Sequence, residues 1–73
     1  MPKLPVLSGR EVIRALERIW FSQSRQRGSH VTLRRDTKVC VVPLHQELAM
    51  GTLAGILRQA DVASDEFAQA VKQ

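Results

Sequence analysis

Apolar and polar residues follow two different periods along this chain, and the change of period marks where helix gives way to strand. From residue 12 to residue 20 the apolar residues recur at three- and four-residue steps, which predicts a helix with one buried face. The predicted buried residues are Val12, Ile13, Leu16, Ile19 and Trp20. We expect the helix to run from just after Ser8 to about Ile19, because Ser8 and Glu11 have the spacing of a capping box.

Three short strands are predicted between residues 21 and 43, where the pattern becomes alternating. Turn signals at Arg27-Gly28 and Asp36-Thr37 separate the strands, which indicates an antiparallel meander. The alternation in the second strand places His30 on the outward face together with Arg34. The third strand is apolar after its first residue, and we therefore expect it to be central or covered.

Two helices are predicted after the sheet. Pro43 ends the third strand, because it cannot donate a hydrogen bond to the ladder. Thr52 is the predicted cap of the next helix, which packs through apolar residues at three- and four-residue steps. Those residues are Leu53, Ile56, Leu57 and Ala60. A last short helix begins at Ser64 and packs through Phe67 and Val71. The order is α-β-β-β-α plus a short C-terminal helix, an α+β fold with helices packed on one face of a three-stranded antiparallel sheet.

Composition limits the class of protein. A chain of 73 residues is near the lower limit for a core without metal or disulfides, so we interpret residues 1–73 as a single domain. Its one cysteine, Cys40, is expected in the core, and no histidine and cysteine cluster has zinc-ligand spacing, so neither a metal nor a cofactor is predicted. No apolar run approaches membrane-spanning length, and the proline-interrupted start does not resemble a signal peptide. We expect a cytoplasmic protein that does not contact a membrane.

The charge favours a polyanionic partner. The formal net charge is +4 and the sequence pI is about 10.2, and the cations are mostly arginines, whose guanidinium groups pair bidentately with phosphate. Nucleic acid is the leading candidate, although scarce aromatic residues argue against modules that read single strands by stacking. Arg10, Arg14 and Arg18 form one stripe of the first helix, which is either a solvated face or a face for RNA.

His30 is the candidate catalytic residue, because it is predicted to face outward beside a turn among cations. Those cations, predicted to bind RNA, are Arg25, Arg27, Arg34 and Lys38. A neutral imidazole can take the proton of a ribose 2′-hydroxyl, which then attacks the adjacent phosphate while cations stabilise the phosphoryl oxygens. Histidine suits this role because its unperturbed side chain titrates near ~6.5. An exposed histidine near arginines is also compatible with an ordinary surface residue.

Gly28, Ser29 and His45 are the remaining candidate site residues. Gly28 suits the bend between two strands, since it tolerates positive φ. Ser29 is interpreted as a hydrogen-bond donor to phosphate or as a turn residue, because no carboxylate-oriented base that would make it a nucleophile is near in sequence. His45 is either a second acid or base that protonates the leaving oxygen or a hydrogen-bonded turn residue.

Three motifs in this order resemble the HicA (YcfA-like) family of toxin mRNA interferases: residues 25–30 (RQRGSH), residues 42–45 (VPLH) and residues 51–60 (GTLAGILRQA). The resemblance spans roughly Ser8 to Phe67. It implies a fold like the double-stranded-RNA-binding domain. It also implies ribosome-independent cleavage of mRNA by the histidine of the Gly-Ser-His motif, here His30, and neutralisation by a HicB-type antitoxin.

The chain departs from that family at four places. Trp20 stands where the family usually has a glycine before the phenylalanine, and Val31 stands where a second histidine is common. Asp61 precedes Val62 where the family commonly has Gly-Leu, so the second helix lacks its usual glycine stop. The loop of residues 44–50 is less basic than is usual, which weakens the case for RNA contacts from it.

Two other functions remain open at this point. A non-catalytic RNA-binding module would use the same basic face for shape recognition, with His30 as a contact only. A DNA-binding helix-turn-helix over residues 52–71 is the weaker alternative, because Arg58 within it and Lys72 directly after it are its only cations.

Overall fold

One helix, a three-stranded sheet and two further helices follow one another in the computed structural model, which describes residues 6–73. The elements are α1 (Gly9–Arg18), β1 (Ser22–Arg27), β2 (His30–Arg35), β3 (Lys38–Pro43), α2 (Met50–Ala60) and α3 (Ser64–Val71). The predicted α+β class and the element order are confirmed. Residues 1–5, part of the start that does not resemble a signal peptide, lie outside the described residues. None of the helices in residues 6–73 has the length and apolar character needed to cross a bilayer.

Helix α1 begins as the sequence predicts. The Ser8 hydroxyl accepts a hydrogen bond from the Glu11 backbone N–H at 3.1 Å, and the Glu11 carboxylate accepts one from the Ser8 N–H at 2.9 Å. These bonds satisfy two amide donors that a helix start otherwise leaves without partners. Hydrogen bonding from the Ser8 backbone, and then from its side chain, holds the pKa of Glu11 below its ordinary value.

The prediction that Trp20 belongs to the buried face of α1 is wrong. Trp20 is 84% exposed and its φ is 77°, whereas the next residue, Phe21, is 3% exposed. The helix ends at Arg18 and Ile19 caps it, so the helical phase no longer applies two residues later. The left-handed backbone at Trp20 turns the chain from α1 into β1, and Phe21 takes the inward position.

The sheet has the strand order β1-β2-β3 with both pairings antiparallel, so β3 is an edge strand. The prediction that the third strand is central is therefore wrong, and the cover that was the other expectation is present on one face only. Cys40 and Val42 face the core, but Val39 and Val41 are 37% and 39% exposed on the other face. Valine occurs on open sheet faces because its branched side chain suits the pleated backbone, so an apolar run does not by itself prove that both faces are covered.

One cluster of buried residues joins the helices to the core-facing side of β2 and β3. The side chains that are fully buried are Phe67, Leu16, Leu33, Leu53, Val12, Val42 and Cys40. Helix α1 packs against α3, and α2 packs against β3. The Arg18 guanidinium also donates to the carbonyl of Ala70 at 3.1 Å, which fastens the end of α3 to α1.

The ends of α2 differ from the sequence prediction. Ala49, not Thr52, is its N-cap, and no side chain caps it. Thr52 lies inside the first turn, because the helix begins three residues earlier than a cap at Thr52 would give. At the other end Asp61 adopts the left-handed conformation, with φ 57°, and its N–H reaches the carbonyls of Leu57 and Arg58. Aspartate thus supplies the stop that a glycine would give, since its short polar side chain tolerates this region.

Helix α3 begins at Ser64 and buries Phe67, as predicted, while Val71 is only partly buried against the core.

Candidate functional site

The β1–β2 hairpin carries the candidate site at its tip. Gly28 and Ser29 form a two-residue turn, and of the two only Gly28 has a positive φ, 59°. That combination fits a type II′ turn, which favours glycine at its first central position. A Cβ at Gly28 would meet nothing within 4 Å, so glycine is required here for its backbone conformation and not for space. The Gln26 side chain donates to the Gly28 carbonyl at 3.0 Å and braces the turn.

His30 is exposed and is the first residue of β2, directly opposite Arg27 in β1. Side chains of such pairs share one face, with Cβ atoms about 4.5–5.5 Å apart. Arg25 lies opposite Thr32 and is therefore the diagonal neighbour of His30, about 7–8 Å away. We call the sheet face that carries these side chains the outer face; its members are Ser22, Arg25, Arg27, His30, Thr32, Arg34, Val39, Val41 and Pro43.

A β-bulge at Ser24 places the two arginines of β1 on the outer face. Gln23 pairs with Leu33 and Arg25 pairs with Thr32, which leaves Ser24 as an extra residue between them. If Ser24 were instead a regular, paired strand residue, strict alternation from the buried Phe21 would direct Arg25 towards the core-facing side. The Ser24 hydroxyl donates to the Thr32 carbonyl at 3.4 Å across the bulge.

The other two predicted RNA contacts lie further away. Arg34 is on the outer face, four residues along β2 from His30, which corresponds to about 13 Å. Lys38 pairs with Arg35 at the far end of the sheet, at a position that alternation assigns to the core-facing side. Its ammonium group lies 3.5 Å from the Asp61 carboxylate. The structure therefore brings Arg25 and Arg27 to His30 and leaves Lys38 apart.

Sequence reasoning did not separate the structural arginines from the free ones. The Arg35 guanidinium donates to the Ile19 carbonyl at 2.9 Å, lies 3.4 Å from the Glu66 carboxylate and sits 4.6 Å from the centre of the Phe21 ring. Arg18 is likewise bound to the end of α3. The signal for Arg35 was its place in β2, where alternation with Arg34 directs it away from the outer face.

His45 lies in the loop after β3, close to the same hairpin. The Leu44 N–H donates to the Ser29 carbonyl at 2.7 Å, and the His45 carbonyl accepts from the Gly9 N–H at 2.9 Å. Pro43 is opposite His30 in the sheet. His45 is two residues beyond Pro43, so the Cα atoms of the two histidines are within roughly 13 Å of each other.

The described residues include no cluster of three or more His, Cys, Asp or Glu side chains that suits a metal ion. Cys40 is 1% exposed, and burial raises the pKa of its thiol to about 11. Because the thiolate is the reactive form, this cysteine is an inert core residue and not a nucleophile.

Comparison with family models gives a match to the HicA toxin of bacterial toxin-antitoxin systems over residues 9–62. The chain belongs to the HicA toxin family. No curated protein matches it at a significant level. The resemblance read from the three motifs is thus confirmed, and the match covers α1, the sheet and α2, including the outer face and His45. HicA toxins are generally ribonucleases and pair with an antitoxin.

Proposed function

We propose that this HicA-family toxin is a metal-independent endoribonuclease that cleaves mRNA without the ribosome and uses His30 as its acid and base. One observation carries the proposal: an exposed imidazole stands on a strand of a paired sheet, with Arg27 directly opposite and Arg25 beside it. A sheet fixes the direction of these side chains, while their exposure leaves them open to a polymer too large for an enclosed pocket.

The reaction that suits this group is transfer of the phosphodiester to the neighbouring 2′-oxygen. The neutral His30 imidazole takes the 2′-hydroxyl proton, the 2′-oxygen bonds to phosphorus, and the bond from phosphorus to the 5′-oxygen breaks. The leaving oxygen takes up a proton from the imidazolium of His30, which returns the side chain to its neutral form, so the products carry a 2′,3′-cyclic phosphate and a 5′-hydroxyl. Arg27 and Arg25 stabilise the negative charge that builds on the phosphoryl oxygens.

The proposed RNA contacts follow the outer face. Gly28 and Ser29 present the turn backbone and a hydroxyl beside His30, and Arg34 holds the strand further along β2. Lys38 is not part of this set, because it lies at the other end of the sheet and pairs with Asp61. A HicB-type antitoxin would inhibit by covering the outer face, and an acidic surface would match its arginines.

The test is incubation of the purified protein in EDTA with a labelled mRNA and with its all-2′-deoxy counterpart. We expect cleavage of the RNA only, with cyclic phosphate ends. His30→Ala should lower the rate at least ~10²-fold. Arg27→Gln should lower it by about 10²-fold. Arg58→Gln, which removes an exposed cation from α2, is the matched control and should leave the rate unchanged.

Folding of each variant is checked by circular dichroism before the comparison. If the folded wild type binds RNA in the absence of antitoxin but leaves it intact, the protein is a non-catalytic RNA-binding module. If His30→Ala cleaves as well as the wild type, another residue does the chemistry.

A further inference from the structure

A cleft beside the hairpin has not been given a function. It has a volume of about 300 Å³ and is lined by Ser8, Arg10, Leu44, His45 and Gln46. One wall is the start of α1 and the other is the loop after β3. Two side chains in it are able to carry positive charge, and neither belongs to the outer face.

The two walls are held firmly together. The Gly9 N–H donates to the His45 carbonyl at 2.9 Å, and the Leu48 N–H donates to the Leu7 carbonyl at 2.8 Å. A Cβ at Gly9 would collide with the Pro43 carbonyl oxygen, so the helix start and the loop are in close backbone contact. The cleft is therefore a fixed feature of the fold.

The cleft also adjoins the candidate catalytic residue. Leu44, in the loop wall, donates through its N–H to the carbonyl of Ser29 at 2.7 Å, and Ser29 directly precedes His30. The cleft therefore begins next to the hairpin tip that carries His30.

The charges around the cleft favour an anion. Within residues 6–73, Arg10 forms no salt bridge and no side-chain hydrogen bond. Neither carboxylate of α1 lines the cleft: that of Glu11 accepts from the Ser8 N–H in the capping box, and that of Glu17 accepts from the Gln23 side chain at 3.4 Å. Glu47 is in the same loop as His45 but does not line the cleft.

We propose that Arg10 and His45 form a subsite for a second phosphodiester of the RNA, next to the one cleaved at His30. The proposal rests on the proposed function and adds to it a contact beyond the scissile linkage. It also gives His45 a binding role in place of a second acid or base. The proposal assigns this role to Arg10 alone among the three arginines of the α1 stripe. Arg14 does not line the cleft, and Arg18 is bound to α3.

The test begins by mapping one cleavage site in a labelled mRNA. Two substrates are then made: a dinucleotide with only the scissile phosphodiester, and an oligomer extended by three nucleotides on each side. Arg10→Gln should lower kcat/KM about tenfold on the oligomer and leave the dinucleotide unaffected. Arg14→Gln, one helical turn away and equally exposed, is the matched control and should change neither value. His45→Gln should follow the pattern of Arg10→Gln.

Binding of an all-2′-O-methyl copy of the oligomer gives a readout that does not need cleavage. Each phosphate contact to a single strand adds about 0.7 to the slope of log affinity against log salt. Arg10→Gln should lower the slope by about that amount, and Arg14→Gln should not. If both arginines lower it equally, the general charge of α1 is responsible and the subsite is refuted.

Failure of the subsite and failure of the nuclease give different results. If His45→Gln lowers kcat/KM equally on the dinucleotide and the oligomer while binding is unchanged, His45 is an acid or base, and the subsite is refuted. If the wild type binds the 2′-O-methyl copy but cleaves no RNA, the nuclease proposal is refuted. The salt slopes of Arg10→Gln and Arg14→Gln then still test whether Arg10 binds a phosphate. If the wild type binds no RNA, both are overturned.

Discussion

Trp20 offers the sharpest test of the backbone geometry. Its φ of 77° is in the left-handed region, which costs a residue with a Cβ roughly 1–2 kcal/mol. Its side chain is 84% exposed, so few contacts compensate for that cost. The comparison that isolates the backbone is Trp20→Gly against Trp20→Ala, because both variants lose the same indole and only the glycine is free of the penalty.

The two terms can be set against each other. Relief of the left-handed penalty favours glycine by roughly 1–2 kcal/mol, and the greater freedom of glycine in the unfolded chain opposes it by about 0.4–1 kcal/mol. Trp20→Gly should therefore be more stable than Trp20→Ala by about 0.5–1 kcal/mol. In a domain of this size, that difference raises the melting temperature by a few degrees, since ~1 kcal/mol corresponds to about 4–8 °C.

Thermal unfolding followed by circular dichroism measures the difference, and Ala54 provides the control. Ala54 is exposed in the middle of α2, where glycine is about 0.8–1 kcal/mol less favourable than alanine. Ala54→Gly should therefore lower the melting temperature, so the sign of the glycine effect reverses between the two positions. Equal melting temperatures for the two variants at position 20, or a lower one for the glycine variant, would refute the left-handed assignment.

Four further predictions concern the helix cap, the core cysteine and the last helix. Ser8→Ala should cost about 1 kcal/mol, measured by urea unfolding, because it removes the cap of α1. The pKa of Glu11 is lowered on folding, so its capping bond stabilises the protein above pH 4.5 and is lost as the pH falls below that value; Glu11→Gln should flatten this part of the stability profile. Cys40 should not react with iodoacetamide at pH 8 until the protein unfolds, since its thiol pKa is raised to about 11; rapid labelling under native conditions would contradict its burial. Phe67→Ala should cost about 3–5 kcal/mol and abolish a cooperative melt near physiological temperature, because Phe67 is fully buried although it lies beyond the family match.

Local chemistry explains which parts of the fold were predictable. The start of α1 depends on Ser8 and Glu11 alone, and the outward direction of His30 depends only on alternation within β2. The errors concern features that local sequence does not contain. The edge position of β3 depends on strand order, and the exposure of Trp20 depends on where α1 ends and how the chain turns into β1.

Both glycine-specific departures from the HicA pattern coincide with strained backbone. The resemblance to the HicA family implies glycine at the positions of Trp20 and Asp61, and these two residues have φ values of 77° and 57°. This chain therefore adopts the left-handed conformation at both positions without a glycine. Aspartate accepts it at low cost and tryptophan does not, so the strain falls mainly on the junction of α1 with β1.

The arrangement of the candidate site required a feature that the sequence of β1 conceals. Residues 22–27 are all polar and exposed, so no apolar residue reveals which way each side chain points. The bulge at Ser24 reconciles two constraints: Phe21 must face the core, and the tight turn at Gly28 fixes Arg27 opposite His30. In a regular strand, alternation would not allow Phe21 to face the core and Arg27 to lie on the outer face opposite His30 at the same time. The extra residue at Ser24 thus links the packing of the core to the cationic surroundings of His30.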